Sequence, residues 1–450
     1  MASNKDILDA QRFNRARLVT AFTSGLPDGR ELEPRSNYTP LIIGVVLTVV
    51  IVLVSLVLNK MSPKLPDKWQ NDFLIVIKDT GARYYTIDGV MHPVTNITSA
   101  KLLTPAGQFQ VKEVGASVVA GIPRGGQVGL ISAPDDVPPG SALIKDAWTV
   151  CAVTDAVTDT WIGLTPEGLA TANMALVSNQ ATTYVVTGGM YYALTSTTAT
   201  VAALDLVNTP VHPVRADWLN LLTEGGALGP LNINGAGLPT NGLPGALANA
   251  VVGSLVDVRQ DDGTMRHYVV ATPTQLVELG DVAYRLYLIG TGADTGTVGN
   301  PIQAIVGDVA PLVAPNTGAI PLDWPQTLGQ SVPGDQLPCL QRPMTGSDQR
   351  VRVGQIPAAG VASSAPAKVS VRGGGGVLMT VSNGGTLGAM RLIDDAGFSY
   401  GIGDPGDTLQ RLGYSAADVI TVPQPWAALV PPRSADAPVL SNATAKATVT

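Results

Sequence analysis

One stretch constrains the whole chain: Leu41 to Leu58 holds eighteen residues without a charge, a proline or an amide side chain. As an α-helix it would be about 27 Å long, close to the roughly 30 Å hydrocarbon core of a bilayer. Forty residues precede it, and Asn59, Lys60 and Met61 follow where a cleaved signal peptide would have small residues. The sequence therefore predicts a single transmembrane helix over 41–58, in contact with membrane lipid.

The amino-acid composition limits the possible functions of the rest of the chain. The chain has 450 residues with 49 Gly, 34 Pro, 14% charged residues and a formal net charge of −7. No basic patch alternates with aromatics, and a mildly acidic surface repels phosphate backbones, so nucleic acid is excluded as a partner. The almost four hundred residues after the span suffice for two to four domains.

The two cysteines, Cys151 and Cys339, both follow the span. Outside the cytoplasm such a pair usually forms one disulfide, whereas in the cytosol it would be two buried thiols. Positive residues flank the span on both sides, and the count near it is almost a tie. Long domains cross membranes with little regard to nearby charge, so we predict a cytoplasmic tail over 1–40 and an extracytoplasmic C-terminal part in the plasma membrane of the cell.

The tail itself predicts a helix from Ser3 or Asn4 to Phe22, followed by a polar linker up to Pro40. Its arginines at 12, 15 and 17 suit anionic lipid headgroups or an acidic partner, or an ordinary solvated helix, and the sequence leaves these readings open. After the span, residues 59–72 are broken by prolines and are interpreted as a stem.

Beyond the stem the chain repeats itself. Three hexapeptides of the form Gly-x-x-(aromatic or His)-x-apolar begin at Gly89, Gly189 and Gly397, and a degenerate fourth copy begins at His267. Their fourth positions are His92, Tyr192 and Tyr400. A helix-like segment follows each, and two copies continue into a strand and a helix that carry Trp218 and Trp426. Each unit reads hairpin, helix, strand, helix, with the glycine supplying the positive φ of the turn. We expect the aromatics to be core residues; the alternative is a ligand surface.

Other strand-like segments lie between these units, around Cys151, Val256, Cys339 and Val371. If Cys151 pairs with Cys339, the core domain is discontinuous and the repeats are inserted between its strands. Closing such a loop is worth about 5 kcal/mol in the chain-entropy model.

The sequence contains none of the common nucleotide-binding, metal-binding or catalytic motifs. It contains no Gly-Lys dipeptide, which excludes the phosphate-binding pattern GxxxxGK[ST], and the run Gly373 to Gly376 reads as a turn or strand edge. The histidines at 92, 212 and 267 are not at metal-ligand spacing. The pairs Asp135–Asp136 and Asp394–Asp395 fall in turns. We predict no catalytic residue, cofactor or metal.

The chain resembles the EccB family, the single-span component of the type VII (ESX) secretion machinery of actinobacteria. The resemblance rests on HPVTNITSAKLL from His92, PRGGQVGLISAP from Pro123, WTVC ending at Cys151, Cys339, and the closing unit DAGFSYGI…LQRLGY. It implies an α+β fold: a single transmembrane helix followed by a discontinuous β-rich core domain with four small α/β repeat domains. The third repeat departs from the pattern, because PTQL replaces its glycine motif and leaves its hairpin turn in doubt.

The expected domains are as follows: tail 1–40, span 41–58, stem 59–72, repeat 1 over 73–130, core 131–180, repeat 2 over 181–230, core 231–264, repeat 3 over 265–300, core 301–391, repeat 4 over 392–430 and a C-terminal tail 431–450.

The resemblance also implies function. It makes the chain a structural subunit that assembles with EccC, EccD and EccE, with copies of itself and with a mycosin protease, where EccC is the ATPase. Some family members are themselves labelled ATPases, and the absent phosphate loop speaks against that label for this chain. The expectation is a non-catalytic scaffold around a secretion channel. The alternatives are a nucleotide hydrolase and a cell-wall-binding module.

Overall fold

The computed structural model describes residues 4–24, 38–60, 65–294, 300–359 and 367–449. Most of the predicted polar linker and the stem residues 61–64 lie outside these ranges. The chain divides into two units, 1–65 and 66–450, which are described separately.

Almost all the described residues of the first unit are helical. The unit contains α1 (Asn4–Ser24) and α2 (Tyr38–Lys60). Within α2, Tyr38–Val57 has a mean hydropathy of 3.0 and no buried residue. Among the residues that the structure describes, it is the one helix long and apolar enough to cross a membrane, as the sequence predicts. The helix begins three residues before Leu41 because Pro40 falls in the first turn, where a backbone N–H would have no helical partner.

Repeat 1 opens the second unit. Its first hairpin joins two apolar strands, and its second turns through Asp88 and Gly89 with φ of +47° and +77°, the pattern of a type I′ turn. Asn96 caps the following helix, its side chain accepting a hydrogen bond from Ser99 N. The last strand returns parallel to the first. The elements are β1 (Phe73–Ile77), β2 (Arg83–Ile87), β3 (Val90–Pro93), α3 (Ile97–Leu103) and β4 (Gln110–Val114).

Three strands of a central sheet follow, and then repeat 2 copies the order of repeat 1. The central strands are β5 (Trp148–Ala152), β6 (Thr158–Ile162) and β7 (Ala170–Thr171). The elements of repeat 2 are β8 (Met174–Asn179), β9 (Thr182–Thr187), β10 (Met190–Ala193), α4 (Thr197–Ala203), β11 (Val211–Pro213), α5 (Ala216–Leu219) and β12 (Thr223–Glu224).

Repeat 3 comes next without an intervening central strand. Its elements are β13 (Leu255–Arg259), β14 (Met265–Thr272), β15 (Gln275–Leu279), α6 (Asp281–Leu288), α7 (Thr291–Asp294), β16 (Ile302–Ala304) and α8 (Val306–Val309).

The chain then re-enters the central sheet and ends with repeat 4. The central strands are β17 (Gln336–Arg342), β18 (Arg352–Pro357) and β19 (Val369–Val371). Repeat 4 and the C-terminal segment contain β20 (Val377–Asn383), β21 (Thr386–Ile393), β22 (Ser399–Ile402), α9 (Pro405–Leu412), β23 (Ile420–Pro423), α10 (Gln424–Ala427) and α11 (Asn442–Lys446). The α+β fold class is confirmed.

The central sheet has the order β19-β6-β5-β17-β18-β7. The arrangement is the same in both directions from the middle of the sheet. The first segment supplies the hairpin β5–β6 and the second supplies the hairpin β17–β18. The third strand of each segment, β7 or β19, lies at the sheet edge beside the hairpin of the other segment. The core is therefore discontinuous, built from two segments separated by repeats 2 and 3.

Three sheets begin earlier than the expected repeat boundaries. In each of three repeats, the first strand falls within an expected core part: Met174–Asn179 within 131–180, Leu255–Arg259 within 231–264, and Val377–Asn383 within 301–391. The part 231–264 accordingly gives no strand to the central sheet. These runs are apolar like central strands, and only their hairpin pairing identifies their sheet.

The repeats pack in pairs. Repeats 1 and 4 share a core in which α3 lies beside α9 and α11. Repeats 2 and 3 share another, where α4 lies beside α6. A third core joins one face of the central sheet to repeats 2 and 4 through Trp148, Trp218 and Trp426.

Candidate functional site: a disulfide-linked central sheet and its four repeats

The predicted disulfide lies at the middle of the central sheet. Cys151 on β5 and Cys339 on β17 are directly opposite in antiparallel register, and their sulfur atoms are bonded across 188 residues of sequence. Both are 0% exposed. Ile356 lies in the same cluster, together with the partly buried Trp161, Leu169 and Leu337. The bond thus ties the two halves of the discontinuous core.

The three motif glycines occupy turns. Gly89, Gly189 and Gly397 have φ of +77°, +84° and +81°, which is the conformation that the sequence predicts for them. Repeat 3 makes its hairpin without a glycine: Thr272 pairs with Gln275 across Pro273 and Thr274, and a register shift between Val270 and Thr272 adjusts the strand. Repeat 3 therefore forms this hairpin through a two-residue turn in which neither Pro273 nor Thr274 has a positive φ.

The fourth motif positions are structural. His92 Nδ1 lies 2.9 Å from the Gly126 carbonyl oxygen. Tyr192 is buried and donates to the Asp323 carbonyl oxygen at 2.7 Å. Tyr400, also buried, donates to Asp394 Oδ2 at 2.8 Å, and burial followed by this bond raises the pKa of the Tyr400 hydroxyl far above its ordinary value.

The tryptophans behave likewise. Trp218 and Trp426 are fully buried, and Trp426 Nε1 donates to the Leu221 carbonyl oxygen at 3.1 Å, joining repeat 4 to repeat 2. Together with Tyr192 and Tyr400 they are core residues and form no aromatic ligand surface.

Two further glycines, Gly125 and Gly225, have a structural role that the sequence analysis does not predict. A Cβ on Gly125 would lie 2.3 Å from His92 Cε1, and one on Gly225 would lie 2.4 Å from Tyr192 Cε1. Each glycine thus lets a motif ring lie close against the backbone. The signal was present: Gly-Gly follows the two motifs at the same distance, one hundred residues apart, like Gly89 and Gly189.

At the four-glycine run, Gly373 to Gly376, the backbone passes close to two other segments of the chain. Gly374 has φ +67° and its N–H donates to Asp395 Oδ2 at 3.0 Å. A Cβ on Gly376 would lie 2.4 Å from the Ile393 carbonyl oxygen and 2.7 Å from Pro138 Cγ. A strand follows the run, so it opens no helix of the kind that holds a phosphate.

The two other histidines that the sequence analysis considered, His212 and His267, contact internal partners. His212 Nε2 lies 3.2 Å from the Val332 carbonyl oxygen. His267 Nδ1 lies 2.8 Å from Asp257 Oδ1, and its ring stacks on Tyr284 with centroids 3.7 Å apart. Within the described ranges, no group of three or more His, Cys, Asp or Glu side chains is placed to hold a metal ion.

A cleft lies where the central sheet meets repeat 2. It measures about 470 Å³, and its polar lining includes Asn173, Thr187, Arg350 and Arg352. Both guanidinium groups bond to Asp348, which holds the pKa of that carboxyl well below its usual range. Both arginine side chains are therefore already paired with a carboxylate of the protein itself.

Comparison with known proteins accounts for this architecture. The family model described as "Type VII secretion system ESX-1, transport TM domain B" matches residues 1–449. The "ESX-1 secretion system ATPase EccB1" of Mycobacterium tuberculosis is 29% identical over 248 residues, covering 51% of this chain and 49% of the relative. The "ESX-2 secretion system ATPase EccB2" of the same organism is 30% identical over 290 residues, covering 60% and 55%. The match spans about half the length of these relatives.

Solved structures share the fold. A chain in "Structure of an intact ESX-5 inner membrane complex" superposes with a TM-score of 0.67 at 20% identity, covering 99% of this chain and 95% of that one. A chain in "Structure of EccB3 dimer from the ESX-3 core complex" gives 0.66 at 21% identity, covering 83% and 99%.

Proposed function

Because this chain belongs to the EccB family of type VII secretion membrane components, we propose that it is a non-catalytic structural subunit of such a complex in the inner membrane. In this proposal α2 anchors the chain, the tail is cytoplasmic, and the part after the span is extracytoplasmic and associates with copies of itself around the channel. EccC, EccD and EccE type subunits and a mycosin protease are the proposed partners.

One observation carries the structural role. The residues that the repeats have in common are used for turns and packing: the glycines form turns or rest under rings, and Tyr192, Tyr400, Trp218 and Trp426 are buried. A catalytic repeat would instead direct its shared side chains into a cleft. Similar units around one rigid sheet suit lateral association, in which like subunits meet by rotation.

Two arguments support the orientation. A disulfide persists in an oxidising compartment and is rare in the cytosol, and Cys151–Cys339 lies beyond the span. Long domains also translocate regardless of nearby charge. Protease added to spheroplasts should degrade the part after residue 66 and spare an N-terminal tag; degradation of the tag alone would reverse the proposed topology.

The names of the relatives favour a second candidate, a nucleotide hydrolase. Hydrolysis needs backbone N–H groups around the phosphates, a cation for the developing charge and usually magnesium. The run Gly373 to Gly376 is the nearest approach to such a loop, but its last residue, Gly376, is packed against Pro138 and Ile393, and the Gly374 N–H already donates to the Asp395 carboxylate.

The deciding experiment uses the full chain purified in detergent. We expect neither ATP binding by calorimetry nor phosphate release above that of a heat-denatured sample. Stoichiometric ATP binding that Arg350→Ala abolishes, with Arg266→Ala as a matched surface control, would establish the hydrolase instead. Assembly is tested by co-purification: the tagged chain should retain EccC, EccD and EccE type subunits, and a chain truncated before Tyr38 should still retain them if the anchored part carries the contacts.

A further inference from the structure

The disulfide is enclosed on every side. β5 and β17 are the two inner strands of a six-stranded sheet, so β6 and β18 flank the bonded pair within the sheet plane. The neighbouring residues Val150 and Leu340 point into the core shared with repeats 2 and 4. On the cysteine face, Trp161, Leu169 and Ile356 close over the sulfur atoms, which are fully buried.

Forming this bond requires space that the folded sheet does not have. A cysteine is oxidised when its thiolate attacks a disulfide sulfur, and the mixed disulfide that results attaches a second molecule to the cysteine. With Trp161 and Leu169 in place, no second molecule reaches either sulfur. Burial in apolar surroundings also disfavours the thiolate, so a folded, reduced sheet would present two unreactive thiols.

We propose that an exported thiol–disulfide oxidoreductase oxidises Cys151 and Cys339 before the central sheet closes, so that the folded reduced chain is not a substrate. The inference rests on the proposed export of the part beyond the span. One cysteine thiolate attacks the enzyme disulfide, forming a bond to one enzyme sulfur and releasing the other as a thiolate. The second cysteine thiolate then attacks the first cysteine sulfur, and the enzyme leaves as a dithiol with the two electrons.

The enzyme class follows from the cysteine count. The chain contains two cysteines, so no wrong intramolecular pairing exists to be corrected. An oxidase is therefore sufficient and a disulfide isomerase is unnecessary. The partners lie 188 residues apart, and repeats 2 and 3 lie between them. The first cysteine must stay reactive, free or as a mixed disulfide, until both repeats and β17 have been delivered.

The test is made on the full chain in detergent. The protein is reduced in urea, refolded in the presence of reductant and then separated from the reductant. Its rates of reaction with a maleimide and with oxidised glutathione are measured in native buffer and in urea. Because the folded thiols react only through opening of the sheet, we expect rates at least about 100-fold lower in native buffer. Equal rates in a sample whose circular dichroism is native would overturn the proposal.

Two variants sharpen the result. Trp161→Ala removes the cover and should raise the maleimide rate of the folded reduced chain by about 10-fold or more, since a tenfold change corresponds to an opening that is easier by about 1.4 kcal/mol. Leu164→Ala, on the following loop and 39% exposed, should leave it unchanged. If the reduced chain refolds only after oxidation, the proposal stands, because oxidation then precedes folding. None of these outcomes depends on membrane topology, which the spheroplast experiment tests separately.

Discussion

The two pairs of repeats use the same helix contact but hold it differently. In the pair of repeats 1 and 4, Arg411 on α9 donates to the Leu102 and Thr104 carbonyl oxygens at the end of α3, at 3.4 and 2.6 Å. Its counterpart in repeats 2 and 3 is Arg285 on α6. Arg285 bonds to Asp281 at 3.0 Å, and beside it the end of α4 lines a cavity of about 210 Å³.

Repeats 2 and 3 are fastened by a different segment. Asp323 and Trp324 precede β17, and the Asp323 carboxylate accepts from Gly226 N at 2.5 Å while its carbonyl accepts from Tyr192. Trp324 is buried in the shared core. The difference shows that a pair of these repeats can be held together in two ways. Either a side chain bonds across the ends of the two helices, or a connecting segment packs against both repeats.

The largest expected effect comes from the disulfide, which both pairs depend on. Cys151→Ser should lower the free energy of unfolding by about 2–5 kcal/mol, because the unfolded chain loses its cross-link. The measurement is a urea melt of the full chain in detergent, read by circular dichroism. Cys339→Ser should give the same shift and the double variant no further loss; additive losses would contradict a bond between the two.

The matched arginines test the comparison directly. Arg411→Ala should destabilise by about 1.5–3 kcal/mol, because the partly buried Thr104 carbonyl at the end of α3 loses its charged donor and Asp407 loses its partner. Arg285→Ala should cost only about 0.3–0.5 kcal/mol, as an exposed pair within one helix. Hydrogen exchange of α3 and α4 reports each pair separately, and equal losses would show that the two arginines do the same work.

The glycines under the motif rings give a smaller contrast. Gly225→Ala should cost about 1–3 kcal/mol, because Tyr192 is buried and hydrogen-bonded and has no room to retreat. Gly125→Ala should cost less, since the His92 ring is partly exposed and can rotate toward solvent. Thermal melts of the two variants rank them, and the reverse order would contradict this account of the motif.

The smallest effect is an alkaline weakening of repeats 1 and 4. Burial raises the pKa of Tyr85, Tyr400 and Tyr414 far above the ordinary 10.0. Since the folded state holds these protons more tightly, their stabilisation is present below about pH 10 and is lost as pH rises beyond it. Burial also raises the pKa values of Tyr191, Tyr192 and Tyr284 in repeats 2 and 3, but by less. Hydrogen exchange in α3 and α9 should therefore accelerate above pH 10 more than in α4 and α6.

A control isolates one of these groups. Tyr414 donates to the Pro138 carbonyl oxygen at 2.6 Å. Tyr414→Phe should cost about 1 kcal/mol at neutral pH and make the pair less sensitive to alkali. An unchanged alkaline response would assign the effect to other groups.

The features that the sequence predicted are local or compositional. The span follows from eighteen apolar residues, the turns at Gly89 and Gly189 from glycine's freedom at positive φ, and the pairing of Cys151 with Cys339 from their being the two cysteines beyond it. The family resemblance followed from such motifs. Each of these depends on a few neighbouring residues or on a count, so no knowledge of distant contacts was needed.

Tertiary structure alone decided which sheet each apolar strand joins and which repeats pair. Met174–Asn179 and Val377–Asn383 read like central strands, yet each is bound into a repeat by its hairpin. The pairing of α3 with α9 joins helices about three hundred residues apart. Side-chain period shows that a strand or helix has an apolar face but not what covers it, because the partner is chosen by packing across the whole chain.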